Sequence, residues 1–148
     1  MIITNSITNA IVTTISSFQT AVDCNFKVER FSIFNTRPNL SPWVGIYKPE
    51  IIGSPGRNNI TQPWKAIYDT RVIVQVAGTF RNPELPQVML DDSTNIVLTA
   101  VNCNRSLYST VENFIEWSVT PGGESLRDDT NQDYFYSNEL HFKFEVFA

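Results

Sequence analysis

Residues 64–80 read WKAIYDTRVIVQVAGTF. Even positions carry Trp64, Ala66, Tyr68, Val72, Val74, Val76 and Phe80, while odd positions carry Lys65, Asp69, Arg71, Gln75 and Thr79. Such alternation marks a strand with one buried face. It holds for 17 residues, where a strand ordinarily has about 5–6. A straight strand of that length spans about 55 Å at about 3.3 Å per residue, whereas a compact chain of 148 residues has a diameter of roughly 38 Å. The strand is therefore expected to overhang its own domain. Two arrangements deal with the overhang: another copy of the chain covers it, or a bend near Asp69–Thr70 splits it and leaves Trp64–Tyr68 as a projecting arm. Both place the rings of Trp43, Trp64 and Tyr68 near the overhang, and such rings are enriched at protein interfaces.

Upstream, Ile7, Ile11, Ile15, Phe18 and Val22 recur at helical spacing and predict an amphipathic helix. Asn5 or Ser6 is the expected N-cap, and Thr8, Asn9, Thr13, Ser16 and Ser17 form the outward face. A strand follows from about Phe26 to Phe34, with a bulge near Glu29–Arg30 where the apolar parity changes. "WVGIYK" is a short strand, Trp43 to Lys48. "PEIIGSPGRNNITQ", residues 49–62, reads as a loop longer than the usual ~4–6 residues, and long loops often carry function.

Downstream, Pro86 suits a first helical turn. Leu85, Met89, Ile96, Val97, Ala100 and Val101 give a second helical stripe to about Asn102, with Asp91, Asp92, Asn95 and Thr99 outward. Leu107, Tyr108 and Val111 are expected to pack in the connection. "FIEWSVT" predicts a strand with Ile115, Trp117 and Val119 on one face, and "PGGESLRDDTNQD", residues 121–133, a polar loop. The closing stretch alternates again, with Tyr134, Tyr136, Leu140, Phe142, Phe144 and Val146 on one parity. The order is that of an α+β fold in one domain, 1–148, with two helices on one face of a mainly antiparallel sheet and long projecting strands.

Composition narrows the function. Hydrophobic content of 42% and charge of 18% indicate a folded chain. A net charge of −4 with 11 scattered Lys and Arg argues against a nucleic-acid binder. No stretch reaches the ~20 apolar residues of a membrane span, and the N-terminus has no basic n-region of a signal peptide. The sequons at Asn59 and Asn104 therefore read as chance matches. Cys24 and Cys103 lack metal spacing and read as reduced thiols rather than a disulfide.

No reaction centre emerges. His141, the only histidine, falls on the polar parity of the last strand and reads as a solvated surface residue. "RDDTNQD" lacks the central Gly and closing Glu of a calcium loop. "GSPGRNN" and "PGGES" are not followed by a helix with the Lys–Ser/Thr pair of a P-loop. Trp43, Trp64 and Trp117 could form a sugar platform, although division between core and interface is the plainer reading. No cofactor or metal is expected, and the chain is read as non-enzymatic.

The element order, with "SPWVGIYKP" leading out to the long loop and "PWKAIYDTRVIVQVAG" leading back, resembles the tail terminator (tail completion) proteins of long-tailed bacteriophages. The resemblance covers nearly the whole chain. It implies a structural protein, made in the bacterial cytoplasm and placed in the tail–neck region of the virion. There it would form a homo-oligomer, a six-membered ring that ends polymerisation of the tail tube protein and meets the head–tail connector or stopper. DNA would pass only as cargo and no membrane would be involved. By the same resemblance the loop and its flanks, with Trp43, Tyr47, Ile51, Ile52, Arg57, Asn58, Trp64 and Tyr68, would contact a neighbouring subunit or the tube. Another phage neck or head completion protein, or a monomeric ligand-binding α+β module, is the alternative.

Overall fold

The structure, a computed structural model, describes residues 2–21, 27–30, 42–53, 65–79, 84–128 and 133–147. The elements are α1 (Ile2–Ala21), β1 (Lys27–Arg30), β2 (Trp43–Ile46), β3 (Glu50–Gly53), β4 (Lys65–Thr79), α2 (Glu84–Cys103), β5 (Asn113–Asp128) and β6 (Asp133–Phe147). The strands form one sheet in the order β1-β2-β4-β6-β5, with β3 pairing β4 beside the end of β2. All pairs are antiparallel except β1–β2. The fold is α+β, as the element order predicts.

β4 is a single strand. Its register against β6 runs without a shift from Lys65↔Phe147 to Thr79↔Asp133, so the alternative of a bend at Asp69–Thr70 does not occur. At about 3.3 Å per residue, the 15 residues of β4 extend about 50 Å. Even-numbered side chains of β4 and β6 point to the same face. Tyr68, Val72, Val74, Val76, Tyr136, Leu140, Phe142, Phe144 and Val146 are buried there, together with Val44 and Ile46 of β2.

The two helices cover that face. α2 lies against β4 and β6, and α1 against α2, β1 and β2. Ile7, Ile11 and Ile15 of α1, and Val97, Ala100 and Val101 of α2, are buried as their spacing predicts. α1 starts at Ile2, so Asn5 and Ser6 lie inside the helix rather than capping it. Thr8, expected outward, is buried; its hydroxyl donates to the Thr4 carbonyl at 2.9 Å, which removes the cost of taking it out of water. Arg30 on β1 binds the Asn5 and Asn9 side-chain oxygens at 3.1 and 2.5 Å and ties the sheet edge to α1.

Three expectations about the strands change. Glu50–Gly53 belongs to the sheet and not to a loop: Pro49 interrupts what is otherwise one run along β4, because proline has no N–H to give the ladder. The polar stretch from Pro121 is also strand. β5 continues through "PGG" to Asp128, with register shifts between Phe114 and Glu116, Pro121 and Gly123, and Leu126 and Asp128. Proline is tolerated on an edge strand. A Cβ on Gly122 would lie 2.3 Å from Ser137 Oγ, so the bulge there needs glycine. Lastly, the expected bulge near Glu29–Arg30 is absent from the described part of β1, which is in regular register through Arg30↔Ile46.

After α2 the backbone makes a left-handed turn at Leu107, Tyr108 and Ser109, with φ of 49°, 58° and 65°. Left-handed conformations cost roughly 1–2 kcal/mol per non-glycine residue. Burial of Leu107 and Val111 offsets this, as do Asn104 Oδ1 accepting from Tyr108 N at 3.2 Å and Asn104 Nδ2 donating to Thr14 at 3.0 Å. Tyr108, expected to pack here, is exposed.

Candidate functional site

The face of the sheet away from the helices carries the odd-numbered side chains of β4 and β6. Asp69 stands opposite Lys143, Arg71 opposite His141, and Ile73 opposite Glu139. On the adjoining strands, Glu50 stands opposite Asp69 and Glu116 opposite Lys143. Cross-strand distances of about 5 Å let these groups join in one ionic cluster.

His141 is at its centre. Nδ1 lies 3.2 and 3.0 Å from the two Asp69 oxygens, and Nε2 lies 3.0 Å from Glu139 Oε2. A neutral imidazole has only one N–H, so donating at both ends requires the imidazolium. Burial by itself would lower the pKa of His141. The hydrogen bonds to Glu139 and Asp69, and their charges, outweigh it and hold the pKa above 6.5. The expected solvated histidine is therefore half-buried and clamped. Arg71 Nε meets the other Glu139 oxygen at 3.2 Å, and its guanidinium lies 3.7 Å above the Tyr47 ring. Lys143 Nζ binds Glu116 at 2.7 Å, which raises the lysine pKa. A cavity of about 260 Å³ lies between Tyr47, Lys48, Glu50, Asp69, Arg71 and His141.

A histidine with both nitrogens occupied has no lone pair for a substrate proton or a metal. Among the described residues no group of three His, Cys, Asp or Glu could hold a metal ion. The arrangement serves to hold strands together. Because the folded pKa of His141 is raised, its contribution is complete below about pH 6.5 and is lost as pH rises through the folded value. Urea titrations between about pH 5 and pH 8 should show stability falling towards the alkaline end. His141→Gln should flatten that dependence, and an unchanged slope in the variant would refute the clamp.

Of the expected contact residues, Trp43 and Tyr68 are buried within this chain. Tyr68 is in the core, where its even parity puts it. Trp43 is on the other face, with Nε1 donating to Glu29 at 2.7 Å. Tyr47 stacks under Arg71. Ile51 and Ile52 are 62% and 49% exposed on β3. Arg57, Asn58 and Trp64 lie outside the described residues. Sequence reading missed a second exposed pair, Ile115 and Trp117 on β5, at 43% and 47%. Trp117 faces the helix side opposite Phe142, yet among the described elements β5 packs extensively against β6 and not against either helix. Trp43 and Trp117 thus occupy opposite faces near opposite edges and form no shared platform. Cys103 is an exposed free thiol; Cys24 lies outside the described residues. Among the described residues no helix is long and apolar enough to cross a membrane.

No family model matches the chain, and no curated protein matches it. Among solved structures it is similar to a chain described as "Virion of native gene transfer agent (GTA) particle", with a TM-score of 0.48 and 8% identity over 95% of this chain and 94% of that one. A superposition that loose supports no statement about role.

Proposed function

We propose that this chain is a non-enzymatic structural protein of a phage virion and, within that class, a tail terminator. Copies form a ring, six-membered in the family it resembles, at the head-proximal end of the tail tube. The ring ends tube polymerisation and presents a surface to the connector. The carrying observation is the pair of apolar patches on opposite edges of one sheet, Ile51–Ile52 and Ile115–Trp117. Ring contacts are heterologous and need two different patches per copy. The sequence pattern around "SPWVGIYKP" and "PWKAIYDTRVIVQVAG" supports the finer assignment. A net charge of −4 also suits a channel through which DNA slides without sticking.

Electron microscopy of particles tests the reading. Label on this chain is expected at the junction of head and tail, and particles made without it should have tails of uncontrolled length or heads lacking tails. Tails of normal length in its absence would rule the assignment out. Label elsewhere in the virion would favour another neck or head completion protein.

A further inference from the structure

We infer that two copies of this chain join by strand pairing, β3 of one against β5 of the next, with Ile51 set opposite Trp117. The inference deepens the ring reading above and rests on it.

The two edges match in direction. Within the sheet, β3 is antiparallel to β4, β4 to β6 and β6 to β5, so β3 and β5 run in opposite senses. A copy added alongside in the same orientation continues the alternation. Ile51 and Trp117 also lie on the same face of the sheet. Ile51, Tyr68, Phe144 and Phe114 form one cross-sheet row, and Trp117 follows on that face opposite Phe142. The helices bury the middle of this surface and leave its two ends exposed.

Bulges on β5 define where the partner fits. The register shifts after Phe114 and again after Pro121, but from Glu116 to Pro121 it is regular. With Ile51 at Trp117, that straight run takes Glu50, Ile51 and Ile52 opposite Ser118, Trp117 and Glu116, while Gly53, past the register shift that β3 itself makes after Ile51, falls at the bulge of Ile115. Bulges otherwise discourage edge pairing, so a straight window between two of them is a selective acceptor. Charge favours the antiparallel orientation at this register. Antiparallel pairing of Ile51 with Trp117 sets Glu50 against Ser118. The opposite orientation would set Glu50 against Glu116, and like charges directly opposite destabilise a pair. Edge pairing supplies backbone hydrogen bonds, and the side chains supply specificity.

Sedimentation of the purified full-length chain tests this, under reducing conditions so that the exposed Cys103 thiol cannot link copies. Wild-type chain is expected to associate reversibly. One variant carries Ile51→Asp and Ile52→Asp, the other Ile115→Asp and Trp117→Asp. All four positions are exposed, so each variant should keep the wild-type melting temperature within a few degrees. Each alone should lose self-association, with affinity down at least about a hundredfold. Mixed, the two variants should form a one-to-one dimer and nothing larger, because each retains one intact edge. Wild-type-like assembly by either variant, a mixture that stays monomeric, or a wild-type chain monomeric up to about millimolar concentration would each overturn the inference. A ring at the head–tail junction built through other surfaces would leave the terminator reading standing while this one fails.

Discussion

Phe142→Ala should cost about 3–5 kcal/mol of folding stability, the range for a phenyl ring removed from a packed core. Phe142 is fully buried, with its centroid 6.2 Å from Phe114 and 6.4 Å from Phe144. It lies opposite Thr70 on β4 and Trp117 on β5, so it fills the level at which three long strands meet. Truncation leaves a cavity that neighbouring strands cannot close without breaking a register shared along their length. For a chain of this size such a loss corresponds to a fall in Tm of roughly 10 °C. Chemical denaturation measures it directly. Phe142→Leu, which keeps most of the volume, should cost far less. A loss below about 1 kcal/mol for the alanine variant would mean that the strands relax around the gap and that the core is less rigid than its packing implies.

Gly45→Ala should be comparably harmful, although it adds one methyl group. A Cβ at Gly45 would lie 2.1 Å from the Trp43 ring, which rests across the glycine on the sheet face away from the helices. The far end of a side chain can ordinarily move aside. Here the ring is almost fully buried and held by the bond from its Nε1 to Glu29, so moving it sacrifices packing and leaves a polar group unpaired. Overpacking costs about 1–3 kcal/mol and an unsatisfied buried group a similar amount, for a total of about 2–5 kcal/mol. The contact can be isolated by a double-mutant cycle. In a Trp43→Ala background, Gly45→Ala should be nearly neutral, because the ring that it displaces is gone. Equal costs in both backgrounds would show that the glycine is needed for its backbone and not for the ring.

These two sites differ in how far the amino-acid sequence reveals them. Phe142 belongs to an alternation that runs along β6, and its burial follows from parity. Nothing in "WVGIYK" shows that Trp43 covers Gly45, since that depends on which ring position lies across the strand and on what Glu29 of β1 offers it. His141 is similar. Its polar parity predicts the correct face, but the carboxylates that clamp it are 72 residues away and two residues away, and only strand register brings them to its two nitrogens.

While the continuous register with β6 showed that β4 is unbroken, the amino-acid sequence by itself determined α1, α2, the alternation along β4 and β6 and the face that they bury. Each of these is recorded in a local period, 3.6 or 2, that burial of one side imposes on the chain. It also determined that β4 is too long for an ordinary small domain. Tertiary structure alone decided where the sheet ends and which apolar groups remain uncovered. Parity names a face but not the reach of the layer above it. Two packed helices, each about 10 Å across, cover a limited number of strands spaced about 4.8 Å apart. Trp117 and Ile51 therefore share a face with the core yet stand outside it, whereas Tyr68 and Trp43, expected outside, are enclosed. "PGG" carries turn signals that an edge strand can absorb, because proline and bulges there disturb no ladder on the open side, whereas in "PEIIG" Pro49 breaks the run along β4 and β3 resumes it at Glu50. That is why both edges read as loops until the pairing of β3 with β4 and of β5 with β6 is in place.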